Sequence, residues 1–70
     1  MSIQQNIGAR LTAYMKNKNL SQHEMARLLG ISQASLHYYA TGKRAPSAAV
    51  ITKIANILDC GFGELLRTEN

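Results

Sequence analysis

Apolar residues recur at helical spacing along almost the whole chain, and no stretch shows the period-two alternation of a strand. Ile3, Ile7, Leu11 and Tyr14 form a first stripe, Met25, Ala26 and Leu29 a second, and Leu36 with Tyr39 a third. Val50, Ile51, Ile54, Ala55 and Leu58 form a fourth. Polar residues punctuate the stripes. Ser2 and Gln5 make an S-x-x-Q start for a helix over residues 3–17, with Asn19 as its stop. Ser21-Gln22-His23-Glu24 is a full capping box opening a second helix that ends at Leu29. Ser32 caps a third over residues 33–40, which stops at Gly42. Lys43-Arg44-Ala45-Pro46 is a loop, because proline excludes helix continuation, and Ser47 caps a fourth helix reaching Leu58. Residues 61–67, with Phe62, Leu65 and Leu66, complete a short fifth. The expected architecture is all-α, a compact five-helix bundle in a single domain over residues 1–70.

The second and third helices form one unit. Gly30 opens a three-residue turn, Gly30-Ile31-Ser32, and glycine takes the left-handed conformation that ends a helix sharply. Ala26 is small where the two helices cross, and Leu36 and Tyr39 face back toward Met25, Ala26 and Leu29. A steep helix–turn–helix of this kind presents its second helix to the DNA major groove.

Charge placement sharpens that picture. The net charge is +4 over 70 residues. Residues 1–58 hold seven Lys/Arg against Glu24 alone, net +6, whereas residues 59–70 hold Arg67 against Asp59, Glu64 and Glu69, net −2. A basic body suits a polyanion met by the first four helices. The single cysteine, Cys60, forms no intramolecular disulfide and reads as a small core residue. No apolar run approaches the ~18 residues of a membrane span, and the N-terminus lacks the layout of a signal peptide. A cytoplasmic protein is expected, with no cofactor, metal or small-molecule ligand.

The outward face of the third helix carries Gln33, Ala34, His37 and Tyr38, with Ser35 beside them and no acid to repel phosphate. Glutamine pairs bidentately with adenine N6 and N7, and an alanine methyl packs on a thymine methyl. His37 and Tyr38 donate to base acceptors or phosphate. Ser21 and Gln22 lie at a helix start, where free N–H groups and the dipole attract phosphate. Lys43 and Arg44 follow the third helix, placed for the DNA backbone. His23 reads as a solvated helix position.

These residues carry a resemblance over 7–66. Ile7-Gly8-x-Arg10-Leu11, Leu20-Ser21-Gln22, Met25-Ala26, Leu29-Gly30-Ile31-Ser32-Gln33, Leu36, Tyr39, Gly42-Lys43-x-x-Pro46-Ser47, Lys53-Ile54-Ala55 and Glu64-Leu65-Leu66 resemble the lambda-repressor-like, Cro/C1-type helix-turn-helix family. The resemblance implies a five-helix bundle. It also implies that Gln22 binds phosphate and buttresses Gln33, which reads adenine. Two departures fit together: Met15 and Ala40 stand where family members often place an Arg–Glu pair, so neither charge is left unpaired. Thr41 replaces the family's asparagine, which weakens the ground for a phosphate contact there.

The expected function is sequence-specific binding of double-stranded DNA by a transcriptional regulator of repressor type. The alternative is a protein-interaction module, such as an antitoxin-like partner-binding regulator. An enzyme is not expected, because the sequence offers no paired carboxylates, no Cys–His couple at useful spacing and no phosphate-binding glycine loop. A homodimer on a palindromic operator is expected, with Ile57, Phe62 and Leu66 in the interface.

Overall fold

Four helices account for the described part of the chain: α1 (Ile3–Lys18), α2 (Gln22–Leu29), α3 (Gln33–Ala40) and α4 (Ala48–Leu58). The computed structural model describes residues 3–59 and 61, the first two as backbone only. The expected fifth helix, with Phe62, Leu65 and Leu66, lies outside the described residues, apart from Gly61.

Every sequence-read boundary inside this range falls within a residue or so of its observed place, because each has a local cause. At the start of α2 the Glu24 N–H donates to Ser21 Oγ at 3.1 Å and the Ser21 N–H donates to Glu24 Oε1 at 2.8 Å. Two otherwise unpaired donors are thereby satisfied. The Ser21 backbone bond, and then its hydroxyl, lower the Glu24 carboxyl from its ordinary pKa. Lowered in the folded state, this group contributes its stability above its unfolded pKa. That contribution is lost as pH falls through the folded value. Ser32 and Ser47 repeat the cap, accepting from the Ser35 and Val50 N–H groups at 3.0 and 3.3 Å.

The helix ends are equally specific. Asn19 (φ 59°) and Gly30 (φ 69°) both take the left-handed conformation. The chain then turns back to bond the last turn, Leu20 N–H to Met15 O at 2.8 Å and Ile31 N–H to Ala26 O at 3.0 Å. Lys53 of α4 reaches across and donates from Nζ to Leu29 O at 3.4 Å, placing an ammonium at the negative end of α2. Asp59 (φ 55°) closes α4 in the same left-handed way.

The core joins all four helices. Ile7 and Leu11 from α1, Met25 and Leu29 from α2, Leu36 from α3 and Ile54 from α4 are fully buried, with Ala26, Ile51 and Ala55 beside them. Tyr14, Met15, Leu20, Ile31, Tyr39, Val50, Ile57 and Leu58 pack around that centre. The stripes read from the sequence are therefore the inward faces. Helix α3 packs mainly on α1 and α2, and α4 closes against the same two.

One contact fixes how closely α1 meets α3. A Cβ built on Gly8 would lie 2.6 Å from Ala40 O and 2.9 Å from Tyr39 O. Only a residue without a side chain allows α1 to lie this near the last turn of α3.

Candidate nucleic-acid interface

Packing of Leu36 into the core decides which side of α3 faces out. Leu36 is fully buried and Tyr39 half-buried, so the intervening positions turn to solvent. Gln33, Ala34, His37 and Tyr38 are all exposed, and Ser35 is half-buried with its Oγ accepting from Ser32 Oγ–H at 3.0 Å. The exposed face is free of carboxylates, as its sequence requires.

At the first turn of α3, Gln33 Nε2 lies 3.0 Å from His23 Nδ1 and donates to it. This bond ties the start of α3 to the start of α2. Two helix N-termini therefore lie side by side, each with outward N–H groups and a positive dipole end. Ser21 and Gln22 are exposed at the same end of α2. Ser21 Oγ accepts the Glu24 N–H in the cap. Gln22 makes no side-chain hydrogen bond among the described residues.

The structure differs from the resemblance at this point. Gln22 was expected to hold Gln33, but the amide of Gln33 meets His23. Nothing local signals it: His23 looks like any polar residue in a first turn. A signal exists only in the combination of an eight-residue α2 and a three-residue turn, which bring residues 23 and 33 alongside.

At the other end of α3 the basic loop is fastened to the helix. Gly42 takes φ 77°, its N–H bonds Tyr39 O, and the N–H groups of Lys43 and Arg44 reach Tyr38 O at 2.9 and 3.3 Å. Thr41 Oγ1 donates to His37 O at 2.8 Å, so the threonine serves the helix end. The Arg44 guanidinium carbon sits 5.0 Å from the centre of the Tyr38 ring, within cation–π range. The His37 and Tyr38 rings lie 6.1 Å apart, tilted by 59°. Lys43 and Arg44 are exposed and stand immediately beyond the outward face. Stacking on Tyr38 removes part of the rotamer freedom that Arg44 would otherwise lose on meeting a ligand.

The expected dimer residues are only partly on view. Ile57 is half-buried and packs against the core, leaving part of its side chain outward. Phe62 and Leu66 lie outside the described residues. No described helix is long and apolar enough to cross a membrane.

Comparison with known proteins agrees with this geometry. The helix-turn-helix family profile matches residues 11–65. YazB of Bacillus subtilis (strain 168), named an uncharacterized HTH-type transcriptional regulator, is 39% identical over 62 residues, covering 89% of this chain and 90% of YazB. The regulator AnsR of the same organism is 38% identical over 60 residues, 86% of this chain, but the chain spans only 52% of AnsR. Among solved structures, the restriction-modification controller protein C.AhdI from Aeromonas hydrophila superposes with a TM-score of 0.74 at 32% identity, over 89% of this chain and 94% of C.AhdI. The chain belongs to the Cro/C1-type helix-turn-helix family of DNA-binding transcriptional regulators.

Proposed function

We propose that the protein is a sequence-specific repressor that lays α3 in the major groove of an operator. The observation that carries this reading is the arrangement at the two ends of α3. Two helix N-termini meet at Gln33, a basic loop is fastened beyond Tyr38, and the acid-free face lies between them. In this reading Gln33 and Ala34 meet base edges, while Ser35, His37 and Tyr38 contact bases or backbone farther along the groove. Ser21 and Gln22 hold one phosphate run, and Lys43 and Arg44 the other. The protein acts in the cytoplasm, where its operator is.

The phosphate role is testable by salt. Replacing Lys43 or Arg44 with alanine should weaken specific and competitor duplexes alike and reduce the slope of log affinity against log salt by about 1. An unchanged slope for both variants would place these side chains in solvent rather than on DNA.

A single α3 reads only a few base pairs, so a homodimer on a palindrome is part of the proposal, with half-sites about one helical turn apart. The outward part of Ile57, together with Phe62 and Leu66, is the proposed contact. The acidic balance of residues 59–70 keeps that end away from phosphate. In sedimentation, a palindromic duplex should carry two protomers, and Phe62→Lys should bind with one while keeping a native melt. A wild-type protein that stays monomeric on its preferred palindrome contradicts the dimer, and a folded Phe62→Lys variant that still pairs contradicts this interface.

A further inference from the structure

We propose that His23 is a positioning residue for base reading, acting through the side-chain amide of Gln33. The inference rests on the base-reading role of Gln33 proposed above. His23 and Gln33 are both exposed, so their 3.0 Å contact is not forced by burial and contributes nothing to the core. Its consequence is local. A free glutamine side chain samples several rotamers, and its amide rotates about the last bond to exchange the places of oxygen and nitrogen. Reading adenine bidentately requires one order only, a donor at N7 and an acceptor at the N6 amino group.

The amide nitrogen has two protons. One goes to His23 Nδ1, which accepts when the ring proton is on Nε2. That leaves one N–H and the whole of Oε1 outward. The bond marks which end of the amide is nitrogen, because an oxygen turned toward an unprotonated Nδ1 would find no proton there. In that tautomer Gln33 keeps the donor and acceptor that the base edge needs, in a fixed order, before DNA arrives. His23 sits at the second position of α2, held by the capping box on Ser21 and Glu24, so the support is itself anchored.

The test uses a duplex enriched from a random pool and a random duplex as competitor. His23→Ala should lower affinity for the enriched duplex about 3- to 10-fold, the range of one net hydrogen bond, and leave the random duplex unchanged. His23→Asn should restore most of the loss, since the Asn oxygen occupies nearly the place of Nδ1 and accepts a proton. In the Gln33→Ala background, His23→Ala should have no further effect. Equal loss on both duplexes, failure of Asn to restore it, or a full effect without Gln33 would overturn the positioning role. The two layers separate cleanly. If Gln33→Ala lowers discrimination and His23→Ala does not, only the positioning role fails. If Gln33→Ala leaves discrimination intact, base reading by Gln33 fails and this inference falls with it.

Discussion

Gly8→Ala should lower the melting temperature, by up to roughly 15 °C, although alanine is the better helix former. The two effects oppose each other in sign. Helix propensity alone favours alanine by about 1 kcal/mol at an interior position. Packing opposes it, since the new methyl would sit 2.6 Å from Ala40 O and 2.9 Å from Tyr39 O. Both obstacles are backbone carbonyls in the last turn of α3, so no side chain can swing aside. Overpacking of this kind costs about 1–3 kcal/mol, and more where backbone must move. Packing therefore wins. In a domain this size each kcal/mol shifts the midpoint by about 4–8 °C. A midpoint unchanged or raised would mean that the α1–α3 approach has slack. The substitution should also disturb DNA binding in the protein that remains folded, because the displaced element is α3 itself.

Gln33→Ala should leave the fold intact and reduce specificity. Its side chain is exposed and, among the described residues, bonded only to His23, itself exposed, so the melt should change little. A lost bidentate base contact costs about 1–3 kcal/mol on the preferred site, roughly 5- to 150-fold in affinity, and nothing on random DNA. Competitive titration of the two duplexes reads the ratio directly. An equal loss on both would make Gln33 a general contact rather than a base reader.

The fold was legible wherever its cause was local. Ser21 with Glu24, Ser32, Ser47, Gly30 and Gly42 announce helix ends through hydrogen bonds and φ angles that involve only neighbours in sequence. The buried faces followed from spacing, since Ile7, Leu11, Met25, Leu29, Leu36 and Ile54 repeat at helical intervals. What escaped depends on distant partners. Gly8 is an ordinary interior glycine until α3 is set against it. Lys53 looks like a solvated cation until its Nζ reaches the end of α2. Pro46 read as a breaker but is also buried. Asp59 was not read as a stop, although aspartate, like asparagine at position 19, enters the left-handed region more readily than most residues.

The candidate site shows the same division. Exposure of Gln33, Ala34, His37 and Tyr38 follows from the inward turn of Leu36, so helical geometry was enough to place them. The partners His23 for Gln33 and Tyr38 for Arg44 were not legible. Each depends on how side chains settle across a turn.

The central claim is that the outward face of α3 reads base sequence. Its most direct test is selection from a random duplex pool, followed by sequencing, with wild type and Gln33→Ala in parallel. The wild type should enrich one motif, with an adenine at a defined position, and Gln33→Ala should relax that position while keeping the others. A wild-type pool that stays as diverse as its input, at salt where the protein still binds DNA, would contradict the claim.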